Sequence, residues 1–76
     1  MSTLRVFVNG RPVDVWTGAT ALDAVRAADA VEAEAIVAGQ RVIHDSRGLP
    51  AAPDSAAFAG AIYRTVRAKT GAESGA

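Results

Sequence analysis

Apolar residues occupy every second position in two short runs near the start of the chain, residues 4–8 and 13–16. A period of two is typical of strands with one buried face. Asn9-Gly10 lies between the runs, and this dipeptide favours a two-residue hairpin turn because both of its residues adopt positive φ. The pattern therefore predicts a β-hairpin in which Val8 faces Arg11. The outer face of this hairpin also carries aromatic and proline side chains, which are either covered by the later chain or exposed.

A helical pattern begins at Thr20. Thr20 and Asp23 have the spacing of a capping box, in which each side chain binds the backbone N–H of the other residue. Leu22 and Val25 recur at helical spacing, and the surrounding alanines favour a helix. We therefore expect one helix over residues 20–30, with its apolar stripe packed on the inner face of the hairpin.

The rest of the chain gives shorter signals, which predict two small strands, a long loop and a closing strand. Ile62 and Val66 of the closing strand are expected to point inward. The predicted segments are a solvated polar connector at Glu32–Ala35, a strand at 35–37, a turn at 38–39, a strand at 40–43, an irregular loop at 44–53, a helical turn capped by Asp54 or Ser55 at the start of 54–60, and a strand at 61–67.

The predicted order is ββαββ, a loop and a last strand. We expect an α+β domain over residues 1–67, with a mixed four- to five-stranded sheet, one helix packed on one face, and the first and last strands parallel at the centre. This is the β-grasp arrangement. Residues 68–76 are small and polar, and they are expected to form a flexible tail.

Part of the sequence resembles ubiquitin and its relatives. Residues 36–42, Ile-Val-Ala-Gly-Gln-Arg-Val, followed by Asp-Ser-Arg-Gly-Leu at 45–49, are similar to the ubiquitin stretch Ile-Phe-Ala-Gly-Lys-Gln-Leu followed by Asp-Gly-Arg-Thr-Leu. One extra residue separates the two pieces in this chain. The opening of the chain, from Val8 to Arg26, also looks like plant-type ferredoxin domains. Those domains hold an iron–sulfur cluster through four cysteines, and this chain has no cysteine.

The resemblance to ubiquitin implies a docking surface on the open face of the sheet. Ile36 matches the isoleucine at the centre of the ubiquitin patch, and Val37 or Val42 would then point inward. The alternative is that these are scattered surface hydrophobic residues, which are common in monomeric proteins. The residues expected at a protein-binding surface are Phe7, Ile36, Gly39, Tyr63 and Thr65.

The same resemblance implies an alternative function at the C-terminus. Ubiquitin and the sulfur carriers of thiamine and molybdopterin synthesis end in Gly-Gly, and an ATP-dependent activating enzyme adenylates their terminal carboxylate. Glycine suits such a tail because a Cβ would clash in a narrow channel. This chain has no Gly-Gly at its end, and its tail candidates are Gly71, Gly75 and Ala76. A modifier or sulfur carrier would therefore need trimming of the tail.

Enzyme chemistry is not expected from the residues present. His44, Asp45 and Ser46 are adjacent in sequence, and adjacent residues on an extended chain point in different directions rather than converging as a triad. One histidine beside Asp45 also falls short of the three or four convergent ligands of a metal site. We expect a non-catalytic module with no cofactor and no metal.

Composition and charge limit the kinds of partner that we expect this protein to bind. The 8 basic and 8 acidic residues balance, which argues against a general nucleic-acid binder. No apolar run approaches the roughly 20 residues that span a bilayer, and no secretory signal is visible. The expectation is a cytoplasmic protein that binds a protein partner, either an enzyme or a subunit of an assembly, without nucleic acid or membrane. An open sheet edge also permits a dimer by edge pairing.

Overall fold

The computed structural model describes residues 2–68. They form a small compact α+β domain with a mixed five-stranded sheet and two helices. Neither described helix crosses a membrane, because each has only eight residues. The elements are β1 (Thr3–Val8), β2 (Arg11–Trp16), α1 (Ala21–Ala28), α2 (Ala30–Val37), β3 (Arg41–His44), β4 (Pro50–Ala51) and β5 (Ile62–Arg67).

The strand order is β2-β1-β5-β3-β4, with β5 at the centre of the sheet. β1 and β5 are parallel, and the other neighbouring strands are antiparallel. The expected parallel pairing of the first and last strands is therefore confirmed. Residues 68 and 40 extend the sheet by one hydrogen bond, which the Ala68 N–H donates to the carbonyl of Gln40. Of the tail expected at residues 68–76, residues 69–76 lie outside the described part of the chain.

The hairpin forms in the predicted register. Val8 pairs with Arg11 and Leu4 pairs with Val15. Asn9 has a φ of 51° and Gly10 a φ of 83°, which are the positive values that a two-residue type I′ turn requires. Because the turn fixes the register, alternate residues of both strands fall on a common face.

α1 begins as predicted. The Thr20 hydroxyl accepts a hydrogen bond from the Asp23 N–H at 3.1 Å, and the Asp23 carboxylate accepts one from the Thr20 N–H at 3.0 Å. This reciprocal pair satisfies two backbone donors at the helix start. The helix ends at Ala28, because Asp29 has an extended backbone (φ −161°, ψ 103°).

A second helix replaces the predicted connector and strand at residues 32–37, so the one-helix layout was wrong. Asp29 caps α2, because its carboxylate accepts hydrogen bonds from the backbone N–H groups of Val31 and Glu32. Ala and Glu then favour the helix, and Ala33 and Ile36 are buried one turn apart. The short apolar run at 35–37 cannot by itself distinguish a strand from a buried helix segment.

Residues 54–60 do not form the helical turn expected at their start. This stretch forms turns and a single bridge between Thr20 and Ala56. The carbonyl of Ser55 accepts a hydrogen bond from the Ala21 N–H, and the Ala57 N–H donates to the carbonyl of Ala19. These backbone groups therefore bind the start of α1 instead of one another.

The core lies between the helices and one face of the sheet. Its largest fully buried side chains are those of Val6, Val8, Val25 and Ile43. The two buried residues of β5 on this face are Tyr63 and Thr65, because Val8 pairs with Tyr63 and Ile43 pairs with Thr65. The prediction that Ile62 and Val66 point inward was therefore wrong, because the neighbouring residues Tyr63 and Thr65 point inward instead.

Candidate binding surface

The face of the sheet opposite the helices carries an ordered band of side chains across its three middle strands. The strand registers pair Phe7 with Ile62, His44 with Arg64, and Val42 with Val66. Because cross-strand partners share a face, these pairs form three successive rows along β5. We call this set the uncovered face: Phe7, Ile62, His44, Arg64, Val42 and Val66.

The rows of the uncovered face differ in chemistry. The first row and the last row are apolar, and the middle row holds Arg64 and His44. Ile62 is 45% exposed and Val42 is 36% exposed, while Arg64 is exposed and Phe7 half-buried. The result is a basic centre between two apolar ends, on a surface open to solvent.

Phe58 extends the apolar surface beyond the first row. Its side chain is 63% exposed, and it lines a cleft of about 560 Å³ together with Ile62 and Arg47. Pro12 lies on the other side of Phe7 as its cross-strand partner. The apolar end of the uncovered face is therefore wider than a single pair of side chains.

The structure does not bring together the five residues predicted for the binding surface. Phe7 lies on the uncovered face, as expected. Ile36 is 7% exposed and lies in α2 instead of in a strand, and Gly39 is exposed in the turn after that helix. Tyr63 and Thr65 are 3% and 7% exposed on the helix side of the sheet. Placing these last two and Ile36 on an open sheet face was wrong.

Val37 and Val42 also differ from the expectation that one of them points inward, since they are 62% and 36% exposed. The residues that sequence reasoning missed on the uncovered face are those of β5 and β3. The alternation of Ile62, Arg64 and Val66 was visible in the sequence. Alternation assigns residues to two faces of a strand but does not show which face the helices cover. In this structure the parallel register with β1 determines which face of β5 is covered.

Thr65 has a structural role. Its hydroxyl donates to the Glu32 carboxylate and accepts a hydrogen bond from the Asn9 side-chain amide at 2.9 Å. The Asn9 carbonyl oxygen also accepts from the Thr65 backbone N–H at 3.0 Å. Arg41 forms an ion pair with Glu32 and donates to the Thr65 carbonyl. This polar network joins the hairpin turn, β5, α2 and β3, so Glu32 is not the solvated residue that was expected.

Asp45 organises the loop after β3. Its carboxylate accepts hydrogen bonds from the backbone N–H groups of Arg47 at 2.8 Å and of Leu49 at 3.0 Å. The Leu49 N–H in particular holds the pKa of Asp45 below its ordinary value, because it stabilises the charged carboxylate. Asp45 is thus engaged in turn formation, whereas His44 lies beside Arg64 on the sheet.

Charge is unevenly distributed over the described residues. The stretch 21–37, which contains both helices, carries four carboxylates and one arginine, whereas the strands carry five arginines and one aspartate. Asp14, that single strand aspartate, is paired with Arg5 at 3.0 Å. The helices are therefore acidic and the strands are basic, although the whole sequence has zero net charge.

Within residues 2–68, no three His, Asp or Glu side chains are grouped so that they could hold a metal ion. The tail candidates Gly71, Gly75 and Ala76 lie outside this part of the chain. Comparison of the chain with protein-family models, with curated proteins and with solved structures found no match.

Proposed function

We propose that the chain is a β-grasp, ubiquitin-like domain that functions as a small non-catalytic module and binds another protein through the uncovered face of its sheet. The observation that carries this proposal is the band of apolar, basic and apolar rows centred on Arg64. The β-grasp assignment is supported by the strand order, by the parallel pair of first and last strands, and by helices packed on one face. The sequence similarity to ubiquitin at residues 36–49 adds no support, because Ile36 and Val37 lie in α2 instead of in the expected strand.

The composition of the uncovered face supports a binding function. Interface centres in proteins are enriched in aromatic residues and arginine and depleted in other charged residues. Here Phe7 and Ile62 lie in one row and Arg64 in the next. An exposed apolar surface of this kind on a small domain is a frequent mark of a protein interaction site.

The alternative proposal is a modifier or sulfur carrier that an ATP-dependent enzyme activates at its C-terminus. Its chemistry would require a chain trimmed to end at Gly71 or Gly75, both beyond the described residues. The intact mass of the protein from its native cells separates the two functions. A species ending at either glycine, or a ladder of adducts, would favour the modifier, and an untrimmed chain without adducts would favour the binding module.

A matched pair of variants tests the binding function. Ile62→Asp places a charge on the uncovered face, and Val31→Asp places the same charge on the outer side of α2, where Val31 is 78% exposed. Both variants should fold, because both positions are exposed. Affinity purification from native cells with quantitative mass spectrometry should find proteins that Val31→Asp retains and Ile62→Asp loses at least tenfold. Equal recovery by the two variants would contradict the proposal.

A further inference from the structure

The outer side of α2 is apolar at a position where a surface helix is normally polar. Ala33 and Ile36 bury the inner side of this helix, yet Val31 and Val37 are 78% and 62% exposed on the outer side. Glu34 is exposed as well, and the helical angle of 100° per residue places it between the two valines. The outer side of α2 therefore reads apolar, acidic, apolar.

This order is the counterpart of the order along β5. Ile62, Arg64 and Val66 read apolar, basic, apolar on the uncovered face. Val31 and Val37 are about 9 Å apart along the helix axis, and Ile62 and Val66 are about 13 Å apart along the strand. Side chains can bridge a difference of this size, so Glu34 can meet Arg64 while the valines contact the apolar rows on either side.

We propose that the uncovered face of one copy binds the outer side of α2 of a second copy, in a head-to-tail arrangement. The inference rests on the same face as the proposed function and adds a second occupant for it. Charge complementarity identifies this occupant, because the exposed Glu34 lies between the two valines of α2 and the exposed Arg64 lies between the apolar rows of the uncovered face.

Symmetric arrangements are disfavoured by the same charges. A two-fold dimer through the uncovered face brings the Arg64 side chains of the two copies close together. A two-fold dimer through α2 does the same with the two Glu34 side chains. Like charges in contact are unfavourable. Only the unlike pairing matches opposite charges, and such a heterologous interface continues from copy to copy instead of stopping at a dimer.

Pairing through the edge of β2 is also disfavoured. Val8 and Arg11 flank the two-residue turn as a hydrogen-bonded pair, so the backbone polar groups of Arg11 point towards β1. The backbone of the next residue, Pro12, therefore faces the open edge of the sheet. Proline has no N–H to donate, and its presence on an edge strand hinders pairing with another strand. The association of two copies is therefore expected through faces, not through this edge.

The contact is weak and depends on salt, because an exposed ion pair contributes little and is screened. It also occupies the surface proposed for a protein partner. Self-association and partner binding therefore compete, and a partner that binds more tightly releases single copies.

Sedimentation equilibrium of the full chain tests the inference with two charge reversals. In about 10 mM salt the weight-average mass of the wild type should rise continuously with concentration, and in about 1 M salt, where the Debye length is about 3 Å, it should fall towards the monomer mass. Glu34→Arg and Arg64→Glu should each remain monomeric. An equimolar mixture of the two variants should associate again, because both interfaces in an alternating chain then join opposite charges.

The inference is overturned if the wild type is monomeric throughout, if Glu34→Arg associates as the wild type does, or if the mixture stays monomeric. Circular dichroism confirms that the variants are folded. Glu34→Arg leaves the uncovered face intact, so it should still capture the protein partner that Ile62→Asp loses. Loss of self-association with capture intact supports both proposals, whereas normal self-association without any Ile62-dependent partner contradicts only the proposed function.

Discussion

The two faces of the same sheet are built from alternate residues of the same strands, yet they have different roles. On the helix side, β5 contributes Tyr63 and Thr65 to a packed core and a polar network. On the other side, Ile62 and Arg64 of the same strand meet solvent. A shift of one residue along β5 therefore separates side chains that determine stability from those available for binding.

The largest expected effect is the difference in stability between isoleucine-to-alanine substitutions on the two faces of the sheet. Ile43 is 1% exposed and Ile62 is 45% exposed, on adjacent strands. Ile43→Ala should lower the free energy of unfolding by about 2–4 kcal/mol, because it leaves a cavity in the core. Ile62→Ala should lower it by less than about 1 kcal/mol. Urea unfolding measures both, and similar losses for the two variants would mean that the uncovered face is itself packed.

A smaller contrast concerns the threonines of the sheet. Thr65→Val should lower the free energy of unfolding by about 1–3 kcal/mol, because the Glu32 carboxylate and the Asn9 amide lose a partner. Thr3→Val, at an exposed position of β1, is the matched control and should change stability by less than about 0.5 kcal/mol. An unchanged stability of Thr65→Val would show that the polar network does not hold the elements together.

The smallest contrast is in the titration of tyrosine. Tyr63 is the single tyrosine of the chain, and burial raises its pKa above the ordinary value of 10.0. Because the folded-state pKa is raised, the stabilising effect of neutral Tyr63 is complete below pH 10 and is lost as the pH rises through the folded-state pKa.

Absorbance of the tyrosinate ion follows this titration. The double variant with Tyr63→Phe and Ile62→Tyr moves the phenol to the uncovered face, where it should titrate near its ordinary value of about 10. Identical midpoints for the wild type and this variant would contradict the assignment of the two faces.

Local signals made the first part of the fold predictable. The Asn9-Gly10 turn and the Thr20–Asp23 capping box each involve residues close in sequence, and both form as predicted. The parallel placement of β5 next to β1 was also predicted, from the order of the elements.

The candidate site was less predictable, because it depends on distant contacts. Only Phe7 of the five predicted residues lies on the uncovered face. The register between Phe7 and Ile62 joins strands that are more than 50 residues apart, and no local pattern determines it. Ile36 was misplaced because Asp29 starts a new helix immediately after α1, and a carboxylate cap inside an alanine-rich stretch gives a weak signal. The Asn9–Thr65–Glu32 network likewise joins three distant segments.

Photocrosslinking in native cells tests whether the uncovered face is the surface that binds other proteins. A photoreactive residue is placed at position 62 on the uncovered face in one variant and at position 31 on the outer side of α2 in another. We expect adducts with other proteins from position 62, and adducts only with further copies of this chain from position 31. Foreign adducts from position 31 with none from position 62 would contradict the assignment of the binding surface.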